Sequence, residues 1–86
     1  MKKVLVTSTN PEILEVVKES SLKYSKSLDA IFCPDTDEAL SLIDYELPEI
    51  KVLDFASPDI DCDRILSAID ADPWLHNGGI IAIAKN

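Results

Sequence analysis

Four short apolar runs alternate with segments of helical periodicity, and this alternation constrains the fold more than any other feature. The runs read as strands and cover residues 4–6, 28–33, 50–53 and 80–84. Between them, apolar residues recur three and four positions apart, as on one face of a helix. Strands that alternate with helices predict right-handed βαβ crossovers and a parallel sheet with helices on both faces. We therefore predict an α/β fold, with residues 1–86 forming one domain.

Polar residues and prolines mark where the predicted helices begin and end. The first helix begins at Pro11, after a polar capping residue. Either Asp35 or Thr36 can cap the second helix, whose apolar stripe continues to Leu47 before Pro48 ends it. The third helix opens at the acidic segment of residues 61–63, and its inner face carries Ile65, Leu66 and Ile69.

Composition and charge exclude several classes of function. A formal charge of −8 disfavours binding to nucleic acid or to an anionic membrane surface, and no apolar run reaches the length of a membrane span. The two cysteines, Cys33 and Cys62, lack metal-site spacing and read as reduced thiols of a cytoplasmic protein. The only glycines are the pair at 78–79, so neither a dinucleotide fingerprint nor a P-loop is present. We expect no cofactor and no metal site.

Asp54 is the first candidate for a functional residue. It closes the third apolar run, and in open α/β sheets ligands bind just beyond the carboxyl ends of the strands. An aspartate in this position is also a common turn former and helix cap, so a structural role stands beside the functional one. A further alternative is a small-ligand site between Asp54 and the hydroxyls of Thr7, Ser8 and Thr9, which follow the first strand.

Three segments together resemble the receiver domain of two-component response regulators. They are the Asn-Pro-Glu turn after the first strand, the Asp-Phe-Ala-Ser-Pro-Asp-Ile-Asp segment from residue 54, and the Ala-Asp-Pro-Trp-Leu turn before the last strand. The resemblance implies a flavodoxin-like, three-layer fold whose strands run in the order 2-1-3-4-5. It also implies that Asp54 occupies the phosphoacceptor position, and Pro58 the position of the family's loop proline.

The sequence departs from the receiver pattern at positions that the family uses for chemistry. Ser8 and Thr9 stand where the family has two acids that hold magnesium, and hydroxyls are weak ligands for this cation. Ala84 stands where the family has a hydroxyl that contacts the phosphoryl group. The sequence ends at Asn86, which leaves four strands in the order 2-1-3-4, without the family's fifth strand and last two helices.

The resemblance and its departures lead to two functional expectations. The first is a degenerate receiver-like module, not an enzyme, that acts in bacterial signal transduction through protein–protein contacts, with a histidine kinase or an output domain as possible partners. In that case Asp54 is a solvated carboxylate. The alternative is a functional receiver that a histidine kinase phosphorylates on Asp54, with magnesium as the cofactor. An uncovered fourth strand, Ile80–Ala84, predicts one of two arrangements: either this is the front piece of a longer polypeptide, or two copies pair across that edge into a homodimer.

Overall fold

Four strands and three helices alternate along the chain, as the sequence predicts. The computed structural model describes residues 2–24, 28–72 and 78–83, and at positions 2, 21–24 and 28 it describes the backbone alone. In chain order the elements are β1 (Lys2–Thr7), α1 (Pro11–Tyr24), β2 (Leu28–Cys33), α2 (Thr36–Glu46), β3 (Ile50–Asp54), α3 (Cys62–Ala71) and β4 (Gly79–Ile83). The turn predicted at 73–77 and the end of the fourth predicted strand, Ala84, lie outside the described residues.

The strands form one parallel sheet in the order β2-β1-β3-β4. This order confirms the predicted α/β architecture and is consistent with a flavodoxin-like fold. In the register of β1 with β3, Thr7 lies beside Leu53, so the carboxyl ends of the two central strands meet at one edge of the sheet. The residues that follow these strands are thereby brought together.

The two faces of the sheet bury separate apolar clusters, because side chains alternate along each strand. Leu5 and Leu53 point to one face and pack with residues of α2 and α3. Val4, Val6 and Val52 point to the other face, where α1 covers them. The sheet therefore carries helices on both sides, as expected for a parallel sheet.

Each helix begins at a side chain that accepts a hydrogen bond from its first turn. Asn10 Oδ1 accepts from the Glu12 N–H at 3.0 Å, and Asp61 Oδ1 accepts from the Arg64 N–H at 3.0 Å. Of the two residues that could cap α2, Asp35 does so, by accepting from the Glu38 N–H at 2.8 Å. The Thr36 hydroxyl instead accepts from the Asp61 N–H at 3.0 Å, which ties the start of α2 to the start of α3.

Leu47 does not continue the apolar stripe of α2, so that part of the prediction is wrong. The helix ends at Glu46, and Leu47 adopts a left-handed conformation with φ 48° and is 58% exposed. The cause is Pro48, which disfavours the helical conformation in the residue before it. The Leu47 N–H still donates to the Ile43 carbonyl at 3.2 Å, and this bond closes the last turn.

Glu49 joins three strands through its main chain at the amino-terminal edge of the sheet. Its N–H donates to the Lys3 carbonyl at 3.0 Å, and its carbonyl accepts from the Gly79 N–H at 2.9 Å. The chain reaches this point through Gly78, whose φ of 83° favours glycine. The start of β4 is thus fixed to the residue that precedes β3.

Candidate functional site

The candidate site lies where β1 and β3 end side by side. Ser8 follows β1 directly, and Asp54 is the last residue of β3. Because the two strands are parallel neighbours, Ser8 and Asp54 are in contact although they lie 46 positions apart in the sequence. The structure brings Ser8, Thr9 and Asp54 together with Ser57, which lies in the loop after β3.

Asp54 is buried, and both of its carboxylate oxygens accept hydrogen bonds. The hydroxyls of Ser8 and Ser57 donate to Oδ2 at 2.6 and 2.8 Å, and the N–H of Ala56 donates to Oδ1 at 3.0 Å. The residue is only 3% exposed. The expectation of a solvated aspartate is therefore wrong: two donors from the loop after β3 and one from the turn after β1 take the place of water around the carboxylate.

These donors determine the charge of Asp54. Burial by itself raises the pKa of the carboxyl, but the hydrogen bonds from Ser8, Ser57 and Ala56 stabilise the ionised form and lower it. The donors prevail, so the pKa lies below its ordinary value of 3.8. Asp54 is an anion at neutral pH, and its charge is compensated by hydroxyl and amide dipoles.

A second set of donors holds the two serine hydroxyls in place. The Asn10 N–H donates to Ser8 Oγ at 2.9 Å, and both the N–H and the hydroxyl of Thr9 donate to Ser57 Oγ at 3.0 Å. An ionised carboxylate can only accept, so each serine has its single hydroxyl hydrogen directed at Asp54. The result is a connected network that fastens the turn after β1 to the loop after β3.

Ser57 is the member of this network that the sequence does not predict. It is 4% exposed, and it both donates to Asp54 and accepts from Thr9. A local signal was present: an aspartate often accepts hydrogen bonds from groups two and three residues further along a turn, as Ala56 and Ser57 donate here. The sequence does not show that the same serine would also reach the turn after β1.

Thr7 does not join the other hydroxyls. It lies within β1 on the face of Leu5, which points toward α2 and α3, whereas Ser8 lies past the strand end. Its Oγ1 atom is buried and has no hydrogen-bond partner within the described part of the chain. Of the three hydroxyls considered for a small-ligand site, only that of Ser8 contacts Asp54 directly, and Thr9 reaches it through Ser57.

The donor set at this site does not fit a magnesium ion. Magnesium prefers carboxylate oxygens with near-ideal octahedral geometry, and Ser8 and Thr9 contribute neutral hydroxyls instead. Both oxygens of Asp54 are already acceptors for protein donors. No group of three His, Cys, Asp or Glu side chains among the described residues could hold a metal ion. Ala84, which matches the family's phosphate-contacting hydroxyl, lies outside the described residues.

Neither a scan against protein-family models nor a search of curated proteins finds a match to this chain. The resemblance to receiver domains therefore depends on the motifs and on the strand order, which is compatible with it. In the described segments, no helix is long and apolar enough to cross a membrane.

Proposed function

We propose that this chain is a receiver-like module of bacterial signal transduction that acts in the cytoplasm through protein–protein contacts and not through phosphorylation of Asp54. The observation that carries the proposal is the burial of the Asp54 carboxylate under three donors. A phosphoacceptor must offer an oxygen to the incoming phosphorus atom, and here Oδ2 accepts from Ser8 and Ser57 while Oδ1 accepts from the Ala56 N–H.

The chemistry of phosphoryl transfer supports the same proposal. Two anions must approach each other in the reaction, and a divalent cation normally neutralises their charge. With Ser8 and Thr9 in the positions of the family's acids, Asp54 is the one carboxylate in the described hydrogen-bond network at the ends of β1 and β3. Serine hydroxyls compensate one negative charge but do not provide the positive charge that a phosphoryl group requires.

The alternative function is a phosphoacceptor receiver that a histidine kinase phosphorylates on Asp54. One observation favours it: the lowered pKa keeps Asp54 ionised, which is the nucleophilic form of a carboxylate. In this alternative the hydroxyls of Ser8 and Ser57 turn away from Oδ2 when magnesium and the phosphodonor bind.

A phosphoryl mimic separates the two functions. The protein is incubated with magnesium and either beryllofluoride or acetyl phosphate, and adducts are detected by fluorine NMR and intact mass. We expect no adduct at Asp54. A matched variant, Ser8→Asp with Thr9→Asp, restores both acids and serves as the comparison that can bind magnesium. An adduct in the unaltered protein that disappears in Asp54→Asn would show that Asp54 is a phosphoacceptor.

The exposed edge of β4 supports a second copy of this chain as one protein partner. Ile80 and Ile81 are 45% and 52% exposed. The Gly79 N–H and the Ile83 carbonyl form hydrogen bonds on the β3 side of the strand. In a parallel strand, every second residue directs its main-chain groups to the same side, so those of Ile80 and Ala82 point outward. An outer edge of this kind can pair with the same edge of another copy.

Sedimentation at tens of micromolar tests this homodimer. We expect a dimer for the unaltered chain and a monomer for Ala82→Pro, because proline removes an outward N–H and leaves the bonds to β3 in place. A proline control at Ala56 is unsuitable because the Ala56 N–H donates to Asp54. The control is Ala71→Gly, at an exposed position at the end of α3, which should leave the oligomeric state unchanged. A monomer for the unaltered chain at this concentration would rule out the homodimer.

A further inference from the structure

A cavity of about 390 Å³ opens between α2 and α3, on the face of the sheet opposite α1. Its lining has an apolar part and a polar part: Leu40, Ile43 and Ala68, and Ser41, Asp44 and Asp72. The cavity is separate from the Asp54 network, none of whose members lines it. It is therefore a second place on the molecule where polar and apolar groups meet.

The two helices line this space with residues three or four positions apart: Asp37, Ser41 and Asp44 on α2, and Arg64, Ala68 and Asp72 on α3 and its C-cap. Where the helices begin, Arg64 Nη1 lies 2.9 Å from Asp37 Oδ1. Ser41 and Ala68 are small side chains midway along the helices. At the other end, the carboxylates of Asp44 and Asp72 line the cavity, and no base is among its lining residues.

These two carboxylates lie where a helix disfavours negative charge. The carboxyl end of a helix carries partial negative charge, which cations stabilise. Asp44 belongs to the last turn of α2, Asp72 is the C-cap of α3, and neither last turn contains a base. The helix dipoles therefore oppose both aspartates and favour a cation beside them.

Other acids of α2 have cations of this chain as partners. Glu46 accepts from Lys3 at 2.7 Å, and Asp37 pairs with Arg64. Asp44 is exposed and forms no hydrogen bond or ion pair with any residue that the structure describes. Lys51 also points to this side of the sheet, but it is 2% exposed and does not line the cavity.

We propose that the cavity binds an arginine side chain of a partner protein, with its guanidinium between Asp44 and Asp72 and its methylene stem on Leu40 and Ala68. This inference rests on the proposed function, for which it names the binding surface and the chemistry of the partner. A guanidinium is planar and carries five donors, so it can contact two carboxylates at once. A cationic partner also complements the charge of −8.

Two other occupants are disfavoured by the same residues. A calcium or magnesium ion takes six or more oxygen ligands, whereas the side chains of this lining offer two carboxylates and one hydroxyl. A second copy of this chain would have to supply the arginine. Arg64 is the single arginine of the sequence, and it already pairs with Asp37.

A pair of small probes tests the proposal on the full chain. The protein is labelled with nitrogen-15 and titrated at low salt, where exposed charges are least screened, with N-acetyl-arginine methylamide. The comparison probe is N-acetyl-citrulline methylamide, which keeps the shape of the side chain but replaces the guanidinium by a neutral urea. We expect the arginine probe to shift the amide signals of Asp44, Ala68 and Asp72, and the citrulline probe to leave them in place.

Matched variants show whether binding occurs in the cavity. Asp44→Asn should raise the Kd of the arginine probe about fivefold, the factor that corresponds to the loss of about 1 kcal/mol from an exposed ion pair. Asp59→Asn removes the same charge at an exposed position in the loop after β3 and should leave the Kd nearly unchanged. Ser41→Arg, also at an exposed position, places a guanidinium of the chain itself three residues from Asp44 and should abolish binding of the probe.

The possible outcomes separate the proposal from its rivals. Equal shifts with both probes, or equal losses in Asp44→Asn and Asp59→Asn, would overturn it, because binding would then not depend on the guanidinium or on this cavity. Shifts of the same signals by calcium at a lower concentration than the arginine probe would also overturn it, by showing a metal site. None of these readouts involves Asp54. An adduct with beryllofluoride would refute the proposed function, while the titration still decides what the cavity binds.

Discussion

The replacement of Asp54 by asparagine tests the central feature of the structure, a buried carboxylate held by three donors. An amide has one acceptor oxygen where the carboxylate has two. If that oxygen faces the hydroxyls of Ser8 and Ser57, the amide nitrogen meets the Ala56 N–H, and this part-buried donor loses its partner. The opposite orientation removes the acceptor of both hydroxyls.

The size of the effect follows from these contacts. A part-buried donor without a partner costs about 1 kcal/mol, the lower end of the range for buried donors, and the loss of charge weakens each of the two remaining hydrogen bonds by about 1 kcal/mol. We therefore expect Asp54→Asn to lower the free energy of unfolding at pH 7 by roughly 3 kcal/mol. For a domain of this size the corresponding fall in Tm is about 12–24 °C. Urea denaturation followed by circular dichroism measures the difference.

The pH dependence gives a second readout of the same contacts. Because the pKa of Asp54 is lowered in the folded state, its contribution to stability is fully present above the ordinary value of 3.8 and is lost as the pH falls through the folded value. The difference in free energy of unfolding between the unaltered chain and Asp54→Asn should therefore be largest at neutral pH and should shrink as the pH falls below about 4.

Asp59→Asn is the matched control for this prediction. Asp59 belongs to the same loop but is exposed, so its change to asparagine should alter stability by less than about 0.5 kcal/mol. If Asp54→Asn also changed stability by less than about 0.5 kcal/mol at pH 7, the reasoning from burial and hydrogen bonds would be refuted.

Three further changes probe other features of the fold. Gly78→Ala should destabilise the protein by about 3 kcal/mol or more, because a Cβ at this positive φ would overlap the main-chain carbonyl of Glu49. Gly79→Ala is the control, since its Cβ would meet open space, and equal effects of the two changes in urea denaturation would contradict this account. Lys51 is 2% exposed and burial lowers its pKa, so the stability of the unaltered chain relative to Lys51→Met should rise as the pH increases toward the ordinary value of 10.5; parallel pH profiles of the two would argue against it. Leu47→Gly should raise the free energy of unfolding by about 0.5–1 kcal/mol, because glycine adopts the left-handed conformation without strain; a loss of stability would show that the leucine side chain has a packing role.

The alternation of strands and helices and both helical layers could be predicted from the sequence because periodicity reports burial directly, whereas the strand order was implied by the resemblance to receiver domains. The apolar runs of β1, β3 and β4 fall within one or two residues of the observed strands. The starts of α2 and α3 could also be predicted, because aspartate is favoured at the N-cap position that Asp35 and Asp61 occupy. The end of α2 was missed at Leu47, where periodicity favoured the helix and the following proline prevailed.

The environment of Asp54 could not be predicted, because it depends on contacts between residues far apart in the chain. Composition and spacing identify an aspartate at a strand end, but they do not show that the loop folds back so that Ser57 donates to it. The same limit applies to Lys51, which the sequence places in an apolar strand without indicating that its side chain is buried. The end of the third apolar run located the site, and only the tertiary structure showed that hydroxyl and amide donors compensate its charge.

The main-chain bonds of Glu49 have a consequence for the order in which the sheet assembles. Its amide pairs with β1 and its carbonyl with the start of β4, so the acceptor for β4 is in position only after β3 has aligned beside β1. We expect β4 to join the folding nucleus last and to detach first in local opening. The amide hydrogens of Gly79, Ile81 and Ile83, which face β3, should then exchange with deuterium faster than those of Val4–Val6, which lie in the central strand.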